Sequence, residues 1–115
     1  MPTQKERQLV HDKFDGRCAY CGCILMKGWH IDHLEPIRRN TVWAEHPERD
    51  CLENYMPSCA SCNINKHSQS LESFRTSIKG YMKHLNEINT QYKIAKRYGL
   101  VAETGIDVKF YFETN

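Results

Sequence analysis

The residues best suited to chemistry in this chain are an adjacent aspartate and histidine, Asp32 and His33. They lie in the segment WHIDHLEPIR, residues 29–38, where alternating apolar and polar residues predict a strand that ends before a turn at Pro36. A carboxylate can hold a hard cation, and a neutral imidazole can take a proton from water. The pair therefore suits metal-assisted hydrolysis, although an ordinary salt bridge at a strand end would use the same two residues.

Two C-x-x-C pairs flank this strand, and their members are Cys18, Cys21, Cys59 and Cys62. Thiolates at this spacing can hold a tetrahedral zinc ion, and two matched pairs are a more specific signal than one. Redox dithiols and ordinary buried thiols are the alternatives. Because four thiolates close the coordination sphere of zinc, we expect a structural Zn²⁺ that takes no part in chemistry.

Length and composition set broad limits on the protein. A chain of 115 residues is long enough for one domain with a modest core, and its net charge of +2 permits nucleic-acid binding without arguing for it. The sequence has no secretory segment and no long apolar run, so we expect a cytoplasmic protein without a membrane partner. Cysteines in that compartment are rarely paired as disulfides. Cys23 and Cys51 are predicted to be unliganded, partly buried thiols.

Helices and strands are predicted around this central segment. Thr3 to Glu6 fits a capping box, so a helix should run from about residue 4 to 14. A polar loop follows the first strand over residues 38–50, and the return strand is expected at 52–56. A short helix should begin at about Asn63, directly after the second cysteine pair.

The remainder of the chain predicts a helical extension. From Leu71 to Tyr98 apolar residues recur every three or four positions, which indicates a long amphipathic helix with Ser70 as its N-cap. Gly80 is the point where this helix would divide, and Gly99 is where it would stop. The alternating tail, residues 108–112, predicts a short strand.

In chain order the motifs are C-x-x-C, D-H at a strand end, Asn54 on the return strand, and C-x-x-C-N-x-x-K entering a helix. Over residues 18–66 this pattern resembles the HNH endonuclease family, with a zinc-binding frame of four cysteines. Beyond it, the LESFR segment, the long helix and the YG…FYFE ending resemble the small free-standing HNH proteins of phages and bacterial genomes. The resemblance implies an α+β fold with a ββα-metal (His-Me finger) core, an N-terminal helix, and a long C-terminal helical extension ending in a short strand. It implies a single domain, residues 1–115, with its catalytic core at about 17–67 and its extension at about 68–115.

The resemblance also implies roles for individual residues. His33 would be the general base, and Asp32 would bind a catalytic Mg²⁺ or Mn²⁺ ion. Asn54 would brace the hairpin loop that presents the base. Asn63 stands where the motif has its final histidine and would be a second oxygen ligand, and an Asp–Asn oxygen pair suits Mg²⁺ or Mn²⁺ better than zinc.

Four further residues are candidates for the same site. Lys66 would face a phosphate of the substrate, and Arg38 and Arg39 are further candidates for phosphate contact. His67 lies four residues after Asn63 on one helix face and is a candidate third metal ligand, although an exposed helical histidine is usually unliganded.

The function implied is a metal-dependent DNA endonuclease that hydrolyses phosphodiester bonds and leaves 5′-phosphate ends. One site per chain breaks one strand, so a monomer would nick double-stranded DNA, whereas a homodimer could cut both strands. The sequence leaves the oligomeric state open. The alternatives are a zinc-stabilised module that binds nucleic acid without cutting it, and a protein-interaction module that uses the tail and the long helix.

Overall fold

The computed structural model describes residues 2–37 and 46–114. The predicted loop is therefore only partly covered, and Arg38 and Arg39 lie outside the described residues. The protein combines helices with a small two-stranded sheet. The elements in chain order are α1 (Gln4–Asp12), β1 (His30–His33), two 3₁₀ turns (Pro47–Arg49 and Leu52–Asn54), β2 (Tyr55–Ser58), α2 (Ala60–Lys66), α3 (Leu71–Ile88), α4 (Thr90–Arg97) and α5 (Tyr111–Thr114).

The sheet is an antiparallel pair in which His30 lies opposite Ser58 and His33 opposite Tyr55. β2 begins later than the predicted return strand because Leu52–Asn54 forms a 3₁₀ turn. Helix α2 follows β2 after a single residue, Cys59, which is its N-cap. The end of β1, all of β2 and the first turn of α2 are thus held close together.

The core contains an aromatic cluster of Tyr20, Phe74 and Phe110. The ring of Tyr20 lies edge-on to Phe74 at 5.9 Å and to Phe110 at 5.7 Å, and the two phenylalanines stack at 5.5 Å. Tyr20 belongs to the first cysteine turn, Phe74 to α3 and Phe110 to the C-terminal segment. Burial of these rings therefore joins three distant parts of the chain, and aromatic pairs of this geometry add about 0.5–1.5 kcal/mol beyond their area burial.

The N-terminal helix has the predicted cap. The Thr3 side chain accepts from the Glu6 N–H, and the Glu6 carboxylate accepts from the Thr3 N–H, which is the reciprocal arrangement of a capping box. Val10 is the buried residue of α1, which ends at Asp12. Leu9, an apolar residue of the same helix, is exposed.

The extension divides at a different residue from the one predicted. Gly80 lies inside α3, and the break comes at Asn89, whose side chain accepts from the Tyr92 N–H and caps α4. An intrinsic propensity difference of about 1 kcal/mol at Gly80 does not end a packed helix, whereas a capping side chain starts a new one. Gly99 ends α4 with φ +76°, as predicted.

The predicted C-terminal strand is wrong. Tyr111–Thr114 form the short helix α5, and no strand in the described part of the chain pairs with this segment. Its backbone instead docks on the first cysteine turn, where the Tyr111 N–H donates to the Tyr20 carbonyl and the Phe112 N–H to the Ala19 carbonyl. The segment folds this way because Phe110 fills the core, at 1% exposed.

No helix among residues 2–37 and 46–114 is both long and apolar enough to cross a membrane.

Candidate active site and metal cluster

Four thiols converge between the first cysteine turn and the start of α2. The sulfur atoms of Cys18, Cys21, Cys59 and Cys62 all lie within 4.8 Å of one another, and Cys21 Sγ lies 3.8 Å from Cys59 Sγ. A tetrahedral zinc ion with Zn–S bonds of about 2.3 Å requires sulfurs about 3.8 Å apart. The cluster therefore fits a metal ion such as zinc.

The electrostatics of the thiols agree with this fit. The hydrogen bond from Cys62 lowers the pKa of Cys18 to about 4, and the same bond raises the pKa of Cys62. Thiols this close share protons because adjacent thiolates repel each other, and a bound cation removes that repulsion. Cys23 is exposed and Cys51 half-buried, so the prediction of partial burial is wrong for Cys23.

Asp32 is buried inside the fold. Its Oδ2 accepts a hydrogen bond from the Tyr20 hydroxyl at 2.5 Å and lies 3.0 Å from the Lys66 Nζ. Burial, and next the charge of Asp32, raise the pKa of Tyr20, so its hydroxyl keeps its proton and remains a donor. Oδ1 of Asp32 has no hydrogen-bond partner among the described residues.

Lys66 does not face the solvent, which argues against its predicted contact with a phosphate, and that role stays a prediction. Its side chain is 0% exposed, and Nζ also donates to the His33 carbonyl at 3.0 Å. The physical reason is the burial of Asp32, because a buried carboxylate is stable only with a partner of opposite charge or several hydrogen bonds. The positive charge of Lys66, the last residue of α2, is therefore neutralised inside the protein.

His33 faces a different set of partners. Its Nε2 lies 3.0 Å from Asp50 Oδ1, and the same oxygen accepts the Tyr55 hydroxyl at 2.8 Å. The edge of the His33 ring also packs on Tyr55, with ring centroids 5.4 Å apart. The His33 hydrogen bond, and next that of Tyr55, lower the pKa of Asp50, while burial and then Asp50 raise the pKa of Tyr55 to about 12.

Asp32 and His33 are neighbours in sequence but not in contact. Successive strand residues project to opposite faces, and the contacts agree: Asp32 meets Tyr20 and Lys66 inside, whereas His33 meets Asp50 outside. Lys66 touches both residues, through the carboxylate of one and the carbonyl of the other. The His33 side chain is 24% exposed and open to water, while that of Asp32 is 9% exposed.

Asn54 links the two ends of the loop between the strands. Its Oδ1 accepts from the Glu35 N–H at 2.9 Å, and its Nδ2 donates to the carbonyls of Glu35, at 2.9 Å, and Arg49, at 2.8 Å. The segment just after His33 is thereby tied to the segment just before Asp50.

Asn63 and His67 both belong to the α2 region. Asn63 is half-buried, and its carbonyl accepts the His67 N–H at 3.0 Å. His67 is exposed, has φ +52°, and lies 3.4 Å from the Ser68 hydroxyl through Nδ1. Neither side chain has a hydrogen bond or ion pair to Asp32 or His33 within the described ranges, so their role as ligands stays a prediction.

Asp50 is the residue that the sequence did not single out. It follows the polar loop and precedes Cys51 in the run ERDCLEN, where nothing in its type or spacing separates it from the nearby glutamates. Only the pairing of β1 with β2, which places Tyr55 opposite His33, brings Asp50 to the imidazole.

The sheet, helix α2 and the four-thiol cluster all lie within one segment of the chain. Residues 18–69, which contain all three, match the family model described as HNH endonuclease, so this segment of the chain is similar to an HNH endonuclease domain. The resemblance drawn from the motifs is thus confirmed.

A particular relative supports the same assignment. The chain is 31% identical over 84 residues to the "SPbeta prophage-derived putative HNH endonuclease YoqL" of Bacillus subtilis (strain 168). The alignment covers 65% of this chain and 34% of that protein, so the chain spans about a third of the length of this relative. No solved structure matches the chain.

Proposed function

We propose that this protein is a metal-dependent DNA endonuclease that hydrolyses phosphodiester bonds and nicks double-stranded DNA. The observation that carries the proposal is the environment of His33 within the segment that is similar to an HNH endonuclease domain. Its ring is fixed through Nε2 at the end of β1, is partly exposed, and has no described partner at Nδ1. A histidine held in this way can take a proton from water.

His33 would act as the general base, and Asn54 would keep it in place. Removing a proton from the attacking water makes a nucleophile strong enough to approach an anionic phosphodiester. Because Asn54 bonds to the chain two residues after His33, it limits movement of the strand end that carries the imidazole. Its contribution would be positional, since a side-chain amide neither gains nor loses a proton at neutral pH and cannot act as an acid or a base.

Asp32 and Asn63 would bind the catalytic Mg²⁺ or Mn²⁺, with His67 as a further candidate ligand. Asp32 is tied through Oδ2, which leaves Oδ1 as the oxygen for a cation. A divalent ion, when bound, would offset the charge of the phosphate and stabilise the departing oxygen. The carboxylate and amide oxygens suit a hard cation of this kind.

The four cysteines would hold a structural Zn²⁺. Their spacing fits four zinc–sulfur bonds, and such a site leaves no position for water or substrate. The catalytic core would cover about residues 17–67 and the helical extension about 68–115. The prophage origin of the relative supports the cytoplasm of a bacterial or phage-infected cell as the setting.

A second candidate is a zinc-stabilised module that binds nucleic acid without cutting it. Two observations favour it: the Asp32 carboxylate is paired with Lys66, and it lies on the opposite face of β1 from His33. An ammonium beside Asp32 opposes the binding of a second cation there. This candidate predicts DNA retention that does not depend on Mg²⁺.

Supercoiled plasmid tests the proposal against this alternative. Zinc-loaded protein is incubated with plasmid in Mg²⁺, in Mn²⁺ and with no added divalent ion, and the products are separated on agarose. We expect nicked circles as the first product in Mg²⁺ or Mn²⁺ alone, with 5′-phosphate and 3′-hydroxyl ends at the break. Binding of plasmid without any nicked or linear product, whichever metal is present, would reject the endonuclease and favour the binding module.

A further inference from the structure

We infer that Asp50 is the positioning residue of the His33 base, holding the imidazole with its proton on Nε2 so that Nδ1 is the nitrogen that accepts a proton. This inference rests on the proposed endonuclease function. It adds a residue that lies outside the D-H, Asn54 and C-N positions of the motif.

The hydrogen bond between His33 Nε2 and Asp50 Oδ1, which are 3.0 Å apart, has a defined direction. An ionised carboxylate has no proton and can only accept, so Nε2 must donate. The Tyr55 hydroxyl donates to the same oxygen at 2.8 Å, which further favours the ionised form of Asp50. A neutral His33 in this contact therefore has its proton on Nε2.

His33 and Asp50 are both held in place by the strand pair and by Asn54. Tyr55 lies directly opposite His33 in the sheet, touches its ring and bonds to Asp50. Asn54 then ties the Arg49 carbonyl, next to Asp50, to Glu35, two residues after His33. The distance between the carboxylate and the imidazole is thus set by the strand pair and the loop base together.

The second ring nitrogen of His33, Nδ1, is open to water. Nδ1 of His33 has no hydrogen-bond partner within residues 2–37 and 46–114, and the side chain is 24% exposed. Fixing the proton on Nε2 leaves a lone pair on Nδ1, where water can approach. Without Asp50 the ring would populate both tautomers and more than one rotamer, and less of it would be ready to act as a base.

The direct test is to observe the tautomer of His33 in zinc-loaded protein. ¹⁵N–¹H correlation spectra of protein with labelled histidine report it, at a pH where the ring is neutral. The wild-type chain should show His33 with the proton on Nε2, and D50A should show a mixture of tautomers. D12A is the matched control, because Asp12 Oδ1 likewise lies 3.1 Å from a histidine nitrogen, His11 Nδ1, and Asp12 has no hydrogen bond to His33 or Asp50 among the described residues. It should leave the His33 signals unchanged.

The kinetic test follows from the same contact. D50A should lower kcat for plasmid nicking by about 10–100-fold with little change in KM, the range found when the carboxylate that orients a metal-bound histidine is removed. Y55F, which keeps Asp50 but removes the hydrogen bond from the Tyr55 hydroxyl, should have a smaller effect in the same direction, and D50E should recover part of the loss. D12A should nick at the wild-type rate.

Two results would overturn the inference. One is a wild-type His33 with its proton on Nδ1, which needs no variant to observe. The other is a folded, zinc-loaded D50A with unchanged His33 tautomer and unchanged kcat. Failure of the endonuclease proposal is distinguishable, because wild-type protein would then lack nicking altogether while its tautomer spectra still decide the role of Asp50.

Discussion

The most consequential single contact is the buried ion pair of Asp32 and Lys66. Both belong to the motif that indicates a nuclease, yet the structure places the lysine at 0% exposure, bonded to Asp32 and to the strand backbone. A residue type and a spacing show that a positive charge will stand on α2. They do not show whether that charge will face solvent or neutralise a carboxylate below it.

Replacing Lys66 distinguishes these roles. We expect Lys66→Met to lower the free energy of unfolding by about 3–5 kcal/mol, because it leaves a buried carboxylate without its counter-charge. Urea denaturation of zinc-loaded protein measures this. The double variant Asp32→Leu with Lys66→Met should recover much of the loss, since apolar residues of similar volume can replace a buried pair. A Lys66→Met chain that was as stable as wild type and had lost only its affinity for DNA would instead support the predicted phosphate contact.

What the sequence reveals at this scale is residue type in a local pattern. The cysteine pairs, Asp32 with His33, and Asn54 were all recognisable because each sits in a short motif. Asp50 was not, because its importance arises from strand register rather than from its neighbours in sequence. The side of the strand to which Asp32 points was likewise beyond the motif, since both faces of a short edge pair can be polar.

At the scale of elements, the extension is held by side chains that were not predicted to interact. Glu103 Oε2 accepts from Asn86 at 2.9 Å and Tyr92 at 2.7 Å, and lies 2.9 Å from the Lys96 Nζ. These partners lie on α3 and α4, so one carboxylate after the helices fixes the angle between them. The Asn86 hydrogen bond first, then Tyr92 and Lys96, lower the pKa of Glu103 to about 2.

This carboxylate gives the extension a pH dependence of known sign. Because the pKa of Glu103 is lower in the folded chain than its ordinary value of 4.5, its contribution to stability is present above that value. The contribution should fade as the pH falls from about 4.5 towards 2. We expect Glu103→Gln to make α4 less stable than in wild type at neutral pH, which faster amide exchange in α4 would show. The difference in exchange rate between the two proteins should narrow in acid. A difference that stayed constant with pH would contradict the assignment.

Periodicity predicted the helical part of the extension well, but not its internal break or the conformation of the tail. The recurrence of apolar residues located the helical region, and Ser70 and Gly99 marked its limits. The tail was mistaken for a strand because alternation in five residues fits any segment that buries one ring and exposes the next. The actual conformation depends on the space beside Gly22, where a Cβ would come 2.9 Å from the Tyr111 ring.

At the scale of the whole molecule, the thiol cluster joins the turn before β1 to the helix after β2. Tyr20, between the first two cysteines, touches both Phe74 and Phe110. The cluster therefore connects the strand pair to α3 and to the C-terminal segment. A core of this size is marginal by itself, and a metal bound by four thiolates contributes its binding energy to folding.

Removal of the metal should consequently unfold the core. We expect a strong chelator to release one zinc per chain, with loss of near-ultraviolet dichroism from the aromatic cluster, and the signal to return on adding Zn²⁺. Cys59→Ser should lose zinc and order in the same way, whereas Cys23→Ser should keep both, because Cys23 lies outside the cluster. Full dichroism in metal-free protein would show that the fold does not need the ion.

We propose above that His33, at the end of β1, takes the proton from the attacking water. The most direct measurement of this role is the single-turnover rate of plasmid nicking in Mg²⁺ by His33→Ala, beside His84→Ala, an exposed histidine of α3, as control. We expect a loss of about 10²–10⁴-fold for His33→Ala at unchanged zinc content, and the wild-type rate for His84→Ala. Equal nicking by His33→Ala and wild type would contradict this role.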